Sequence, residues 1–175
     1  MNSFMRGGLL FLVTLLLAGC SVFEDARYDF EGLPPGSTRV VIDLREQKAY
    51  LYAGGERVLS SPVSTGREGH DTAPGRYKII EKDAYHRSSV YGAYVADDGQ
   101  AIEPDVDNRK DPRPPGARFV GASMPYFMRI YGGVGMHAGY LPGYPASHGC
   151  IRMPAGKARR FYDAVSVGTP ITVLR

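Results

Sequence analysis

Glycine and proline interrupt this chain so often that it has little room for long regular elements. Its 175 residues include 22 Gly and 13 Pro, a fifth of the chain, and these residues follow no repeat. Because they mark turns and end helices and strands, the pattern predicts many short strands and excludes an all-helical bundle. Apolar residues make up 43% and charged residues 22%. That composition is typical of a globular protein, and the length is suited to one domain.

The first 19 residues predict a signal peptide that ends before a lipidated cysteine. Arg6 is the one positive charge ahead of the apolar run 9–18, which is too short to cross a bilayer as a helix. The run ends in Leu17-Ala18-Gly19-Cys20, and small residues directly before a cysteine resemble a bacterial lipobox. In that interpretation Cys20 becomes the lipidated first residue. The alternative is a conventional cleavage site beside an incidental cysteine.

Residues 20–37 are interpreted as the lipidated cysteine and a polar tether. Two or more acyl chains on Cys20 would hold the protein stably on a membrane surface, whereas a single chain binds only marginally. Ser21, rather than Asp, follows the cysteine. By resemblance to lipoproteins of Gram-negative bacteria, this indicates the outer membrane and a domain that faces the periplasm. A tether of about 15 residues reaches at most ~50 Å, so the expected substrate lies within that distance of the membrane.

The charge balance gives no sign of a nucleic-acid partner. Lys and Arg exceed Asp and Glu by only three, and the formal net charge is +3. The sequence has no run of cations long enough to follow a phosphate backbone. We therefore expect no nucleic acid among the partners.

Alternating hydrophobicity predicts a single mainly β domain over residues 38–175, either a β-sandwich or a mixed sheet, with a C-terminal helix packed on it. The predicted strands are 39–44, 49–53, 57–65, 76–82, 126–131 and 171–174, and Gly54-Gly55 predicts a hairpin turn. Residues 83–116 are too polar and too interrupted by proline for core strands, so we interpret them as a surface excursion. After Pro154, apolar residues recur with helical spacing at Ala158, Phe161, Tyr162 and Val165.

The densest group of reactive side chains lies between residues 136 and 153, where His137, His148 and Cys150 fall within 14 positions. A cysteine of ordinary pKa, about 8.5, is only a few per cent thiolate at pH 7. Acyl transfer by Cys150 would therefore need a histidine that takes its proton and holds the thiolate as an ion pair. Either His137 or His148 could serve. With Cys20 lipidated, Cys150 is the one free thiol in an oxidising compartment.

The residues around Cys150 suit the binding of a substrate carbonyl and carboxylate. Gly149 lets the backbone approach a carbonyl closely, and the N–H groups of Gly149 and Cys150 are natural donors to an oxyanion. Arg152 could pair with a substrate carboxylate through its planar fork, or form a salt bridge on the surface. Of the other two histidines, His86 either lines the cleft or lies on the surface, and His70 is predicted to be solvated.

Three alternative interpretations use the same residues. His137, His148 and Cys150 could be zinc ligands, although their spacing is not typical of structural zinc sites. Cys150 could be a buried small hydrophobe with no chemical role, which would leave the clustering of reactive side chains unexplained. The local signatures of papain-like and caspase-like proteases are absent around Cys150.

His137, followed by Ser147-His148-Gly149-Cys150-Ile151-Arg152, resembles the active-site motif of the L,D-transpeptidases with YkuD-type catalytic domains. The segments 62–66 and 72–77 extend the resemblance to about residues 39–175. It implies a Cys150 nucleophile and a His137 general base that is oriented by a nearby backbone carbonyl. It implies no cofactor and no metal. The residues that it assigns to oxyanion and substrate binding are Ser147, His148, Gly149 and Arg152.

The resemblance also implies a reaction and a set of partners. Members of this transferase family attack the third residue of a peptidoglycan stem peptide, usually meso-diaminopimelate, and expel the terminal D-Ala. The acceptor can be a second stem peptide, a lysine of an envelope lipoprotein, a free D-amino acid or water. The expected partners are therefore stem peptides, the membrane through Cys20, and an envelope lipoprotein as one candidate acceptor. Two alternatives stay open: a hydrolase on the same scaffold that releases a tethered lipoprotein, and a non-catalytic peptidoglycan-binding lipoprotein.

Overall fold

The computed structural model describes residues 36–175, which form twelve strands and one helix. The predicted signal peptide 1–19, the lipidation site Cys20 and the tether up to residue 35 lie outside the described residues. Within the described part of the chain, no helix is long and apolar enough to span a bilayer.

The first sheet has five strands in the order β3-β2-β1-β12-β4, and only the β1–β12 pair is parallel. Gly54 and Gly55 form the predicted hairpin turn between β2 and β3, with φ of +57° and +91°. The strands of this sheet are β1 (Thr38–Asp43), β2 (Lys48–Ala53), β3 (Glu56–Pro62), β4 (Gly75–Lys78) and β12 (Pro170–Leu174).

The second sheet has four strands in the order β11-β10-β9-β5, with β10 and β11 parallel. Its strands are β5 (Glu81–Asp83), β9 (Phe127–Tyr131), β10 (Val134–Ala138) and β11 (Ile151–Met153). The predicted strand 76–82 is divided between the two sheets because the backbone changes partner in its middle. The Ile79 N–H donates to the Thr169 carbonyl, and the Ile80 N–H donates to the Arg129 carbonyl.

The main core lies between these two sheets and the single helix, α1 (Ala155–Ala164). The helix begins directly after Pro154, as predicted, and contacts β10 and β3. Phe161 is completely buried, and burial of such a side chain contributes about 1.5–3 kcal/mol. The predicted fold class, a mainly β domain with a C-terminal helix packed on it, is confirmed.

Residues 83–116, predicted to be an irregular excursion, instead supply most of a third sheet of order β7-β6-β8. Its antiparallel strands are β6 (Arg87–Val95), β7 (Ala101–Asp107) and β8 (Arg118–Ser123). Pro104 is tolerated because β7 is an edge strand. We call this sheet the cover sheet, because β6 and β8 line the cavity around Cys150. Its strands lie outside the main core.

Candidate active site

The parallel pair β10–β11 brings the two ends of the sequence motif together. His137 lies opposite Arg152 in this pair, and Cys150 directly precedes β11. Alternate residues of a strand share a face, so Cys150 and Arg152 lie on the same side as His137. The intervening Met136 and Ile151 are completely buried in the core. Core packing therefore fixes the face on which the reactive side chains stand.

A short turn before Cys150 is closed by two side-chain hydroxyls. Ser147 Oγ donates to the Cys150 carbonyl at 2.6 Å and accepts the Gly149 N–H at 3.0 Å. Thr72 Oγ1 donates to the Gly149 carbonyl at 2.8 Å. Gly149 has a φ of +108°, which favours glycine over any residue with a Cβ. The carbonyls of Gly149 and Cys150 are therefore both held by side-chain hydroxyls.

This turn engages polar groups of Gly149 and Ser147, two residues that were predicted to bind the oxyanion or the substrate. The Gly149 N–H donates to Ser147 Oγ rather than lying ready for an oxyanion, and the Ser147 hydroxyl is engaged in holding the turn. Sequence alone does not show how a turn satisfies its own donors, and the predicted roles of the two residues stay predictions. The Cys150 N–H points opposite to the Gly149 carbonyl across a trans peptide. It is the one predicted backbone donor that the turn does not use.

His137 is held in the tautomer that a general base needs. Its side chain is buried, and Nδ1 lies 2.8 Å from the Ala138 carbonyl oxygen, the kind of backbone partner that the resemblance implied. A carbonyl only accepts, so Nδ1 carries the proton and Nε2 keeps a free lone pair. Burial lowers the His137 pKa to about 4, and the nearby charges of Arg152 and His86 act in the same direction. His137 is therefore neutral at pH 7.

Cys150 is a neutral thiol in this environment. Burial raises its pKa above the ordinary value, although the Gly135 N–H and the Arg152 charge favour the thiolate. The thiol donates to the Gly133 carbonyl at 3.7 Å. Burial disfavours the charged form of both groups and therefore opposes the predicted ion pair between the cysteine and a histidine. The arrangement instead suits proton transfer during nucleophilic attack.

His148, the other candidate base, has its lone pair occupied. Nε2 lies 2.7 Å from the Arg67 Nη2, and a guanidinium only donates. Burial and the Arg67 charge lower the His148 pKa. Tyr91 of the cover sheet stacks on the ring at 4.0 Å, and His70 packs edge-on at 4.9 Å. His70 is therefore half-buried against His148 rather than solvated, and His148 is placed to position neighbouring groups rather than to take a proton.

Arg152 extends over the site without an acidic partner. Its stem packs against Gly139, where an added Cβ would lie 3.1 Å from the Arg152 Cγ. Among residues 36–175, no carboxylate lies within salt-bridge distance of its guanidinium, unlike the surface salt bridge that the sequence left open. Its planar fork is thus available to a carboxylate of the substrate.

The zinc alternative is not assembled in the part of the chain that the structure describes. No three His, Cys, Asp or Glu side chains within residues 36–175 converge in a way that could hold a metal ion. The contact between His148 and Arg67 is also unfavourable for a zinc ligand, because it places a guanidinium cation beside the ring.

Cys150 lies where two cavities meet. The first, about 310 Å³, is lined by His137, Arg152 and Tyr140, and we call it the His137 cavity. The second, about 350 Å³, is lined by His86 and is called the His86 cavity. His86 thus lines the cleft, one of the two positions that the sequence allowed. Five residues border both cavities: Ser88, Tyr91, Met124, His148 and Cys150.

Three residues of the site were not identified from the sequence: Arg67, Thr72 and Tyr91. Arg67 and Thr72 lie in or beside the two upstream segments that extend the family resemblance. The glycine at position 66, directly before Arg67, was the one local indication of this region. It allows a close backbone approach, since a Cβ there would lie 2.0 Å from the His70 carbonyl oxygen. Tyr91 had no such signal, because it belongs to the segment that was predicted to be an excursion.

Comparisons with known proteins agree with the family resemblance and with the fold. The profile of the YkuD family, described as the L,D-transpeptidase catalytic domain, matches residues 37–173. No curated protein sequence matches the chain.

Solved structures with a similar fold include three L,D-transpeptidases. One from Mycobacterium smegmatis is 22% identical, with a TM-score of 0.59, and the match covers 79% of this chain and 59% of that one. One from Stackebrandtia nassauensis is 21% identical, with a TM-score of 0.59 and coverage of 86% and 62%. L,D-transpeptidase 3 from Mycobacterium tuberculosis, in complex with a faropenem-derived adduct, is 22% identical, with a TM-score of 0.56 and coverage of 79% and 60%. The chain therefore spans about three fifths of the length of these structures.

Proposed function

This chain belongs to the YkuD family of L,D-transpeptidase catalytic domains, and we propose that it is a cysteine acyltransferase acting on peptidoglycan stem peptides. Cys150 takes the acyl group of the third stem residue, releases the terminal D-Ala, and passes the acyl group to an amine. One observation carries the proposal: Cys150 and a neutral His137, whose Nε2 is free, line the same cavity.

Acylation starts with the two groups in their neutral forms. The Cys150 proton moves to His137 Nε2 while Sγ attacks the substrate carbonyl carbon. When the tetrahedral intermediate collapses, the C–N bond breaks and His137 returns the proton to the departing D-Ala amine. The Cys150 N–H donates to the oxyanion of the tetrahedral intermediate. The loss of such a donor typically costs about 10²- to 10³-fold in rate.

Arg152 supports a substrate that carries a carboxylate close to the scissile bond. A stem tetrapeptide has one on its terminal D-Ala and another on the side chain of meso-diaminopimelate. The guanidinium borders the His137 cavity and has no acidic partner among residues 36–175. A bidentate pair with a carboxylate would fix the carbonyl relative to Sγ. The donor stem therefore occupies the His137 cavity in this proposal.

We further propose that the protein is lipid-anchored at Cys20 and faces the periplasm from the outer membrane. The support is the sequence Leu17-Ala18-Gly19-Cys20-Ser21. Residues 20–37 would then tether the domain to the membrane, since β1 begins at Thr38. Cys20→Ser should move the protein from the membrane fraction to the soluble fraction without changing its activity on soluble muropeptides. Retention of the Cys20→Ser protein in the membrane fraction would contradict the anchor.

The proposed function is tested with the full chain, purified in detergent and incubated with tetrapeptide muropeptides. Mass spectrometry of the products distinguishes the possibilities. Crosslinked dimers indicate transpeptidation, and shortened stems without crosslinks indicate hydrolysis. Unchanged material in every condition would favour a non-catalytic peptidoglycan-binding protein. Cys150→Ser is the matched control, and it should give only unchanged material.

A further inference from the structure

A second histidine, His86, lines a cavity that Cys150 also lines. His86 borders the His86 cavity, and its ring stacks on Phe127 with a centroid distance of 4.2 Å and an interplanar angle of 13°. Its Nδ1 lies 3.1 Å from Asp83 Oδ2. The side chain is only 18% exposed. The acylation mechanism above leaves this His–Asp pair without a role.

The pair holds His86 in the same tautomer as His137. Asp83 is a carboxylate, because the Tyr85 N–H bond and the contact with His86 lower its pKa. A carboxylate only accepts, so Nδ1 of His86 carries a proton towards Asp83, and Nε2 is the ring nitrogen left for another partner. The partner differs from that of His137: a carboxylate, unlike a backbone carbonyl, also stabilises the imidazolium that forms after proton uptake.

Contacts connect the His86 ring to the nucleophile through one aromatic side chain. Phe127 stacks on His86 and also packs closely on Gly135, where an added Cβ would lie 2.5 Å from the ring. The Gly135 N–H faces the Cys150 sulfur and lowers the pKa of the thiol. His86 and Cys150 both line a cavity of about 350 Å³ that has room for an acceptor group.

The second half-reaction needs a base at this place. An amine that attacks a thioester carbonyl has two N–H bonds and ends as an amide with one, so a proton must leave the nitrogen. His137 borders the other cavity, where the donor stem lies in the proposed function, and it is not among the residues that line the His86 cavity. An acceptor that enters through the His86 cavity meets His86 instead.

We propose that His86 is the general base that activates the acceptor, and that Asp83 is its positioning residue. The proposal rests on the proposed function and assigns one histidine to each half-reaction. The acceptor N–H proton moves to His86 Nε2 as the nitrogen attacks the thioester carbon. A C–N bond forms, the C–S bond breaks, and the proton returns from His86 to Cys150 Sγ. Amide and free thiol are the products, and no further reactant is consumed.

The test separates the two half-reactions of the full chain in detergent. A tetrapeptide muropeptide is the donor and free D-methionine is the acceptor. Rapid release of D-Ala reports acylation, the exchanged muropeptide reports acyl transfer, and intact mass reports the acyl-enzyme. For His86→Gln we expect an unchanged D-Ala burst, accumulation of the acyl-enzyme, and formation of the exchange product slowed by about 10²-fold.

Two further variants keep the test independent of a folding defect. Asp83→Asn should slow the exchange by about tenfold, and the double variant should be no slower than His86→Gln alone, because Asp83 acts through His86. Tyr85→Ala is the control, since Tyr85 lies between the two residues in sequence but is 90% exposed. It should leave both half-reactions unchanged. If His86→Gln does not fold, the exchange rate of Asp83→Asn tests the proposal instead, and an unchanged rate would contradict it.

Several outcomes would overturn the proposal. A wild-type exchange rate in His86→Gln would show that another group takes the acceptor proton. A D-Ala burst reduced as much as the exchange would place His86 in acylation or in general packing. Additive losses in the double variant would mean that Asp83 acts independently. Absence of any D-Ala burst in the wild-type protein would instead refute the proposed function itself, and the His86 proposal with it.

Discussion

The strands that carry His137 and Cys150 differ from the cover sheet in how they are stabilised. In β10 and β11 the residues beside the reactive side chains, Met136, Ile151 and Met153, are completely buried in the main core. In the cover sheet most of β7 is exposed. The few buried side chains of the cover sheet, Tyr94, Val95 and Val106, lie outside the main core cluster.

This difference divides the site into two parts. The proton-transfer groups stand on strands that cannot shift without disturbing the core, so their geometry is set in advance. The cover sheet contributes Tyr91, which stacks on His148. A local irregularity of β6 places Tyr91 there, because Ser88 Oγ accepts the N–H groups of Val90 and Tyr91. We expect core-strand variants to change the chemistry and cover-sheet variants to change substrate binding.

The largest effect is expected at the nucleophile. Cys150→Ser should reduce acyl transfer by about 10⁴-fold or more, because a hydroxyl of far higher pKa is not activated by a neutral imidazole of low basicity. The thermal unfolding midpoint should stay close to that of the wild type, since the change is nearly isosteric. Release of D-Ala from muropeptides is the measurement. A residual rate within tenfold of the wild type would contradict the assignment.

Substitution of His137 should slow acylation more than substitution of His148, and for a different reason. His137→Ala should slow acylation by about 10³-fold, because the proton acceptor is lost. His148→Ala should cost about 10²-fold or less, through loss of the Tyr91 and Arg67 contacts that order the site. Acylation by a carbapenem-type β-lactam gives both rates. The reverse order would make His148 the base.

Thiol titration sharpens the same comparison. Because Cys150 and His137 are both neutral at rest, the pKa of Cys150 measured by the pH dependence of alkylation should change little in His137→Ala. The ion pair expected from the sequence would instead make this pKa rise when the histidine is removed. A clear upward shift would restore the ion pair and contradict the neutral resting state.

Removal of the cover-sheet contact should have a smaller effect, and one of another kind. Tyr91→Ala should raise KM for muropeptides by about fivefold and leave kcat within about threefold, because stacking on His148 is worth about 1 kcal/mol. The KM and kcat values of steady-state D-Ala release separate the two effects. A loss confined to kcat would show that the cover sheet belongs to the chemical machinery.

The smallest expected change concerns pH. Lowering the pH protonates His137 and removes the base, but its pKa lies near 4, so acylation should fall by less than about twofold between pH 7 and about 5.5. Below about pH 4 the rate should fall in proportion to the neutral fraction. A histidine of ordinary pKa, about 6.5, would instead lose about tenfold between pH 7 and about 5.5. The pH profile of single-turnover acylation distinguishes a His137 pKa near 4 from an ordinary histidine pKa.

The sequence predicted most of the main body because its signals there are local. Period-two strands, the Gly54-Gly55 hairpin and the helix after Pro154 each depend on a few neighbouring residues. Strands β10 and β11 were not predicted because they are short, and because β10 is buried on both faces and so shows no alternation. The cover sheet was missed because its strands are polar and one of them contains a proline, so hydrophobic alternation is weak there.

The chemistry of the site could be predicted from residue types, but the state of each group could not. Burial decides that His137 and Cys150 are neutral, and burial depends on strands from both ends of the domain. The Arg67 contact that occupies His148 spans 81 positions in the sequence. Such long-range pairs leave no pattern in a single sequence. The Ser147 hydroxyl that accepts the Gly149 N–H lies within the motif, but the motif does not show which group the hydroxyl contacts.

The most direct test of the account is the mass of the enzyme during turnover. The full chain in detergent is mixed with a tetrapeptide muropeptide, quenched in acid, digested and analysed by mass spectrometry. The account predicts an adduct equal to the substrate acyl group without D-Ala, located on Cys150 and absent from Cys150→Ser. D-Ala release without an adduct on Cys150, or an adduct on another residue, would contradict it.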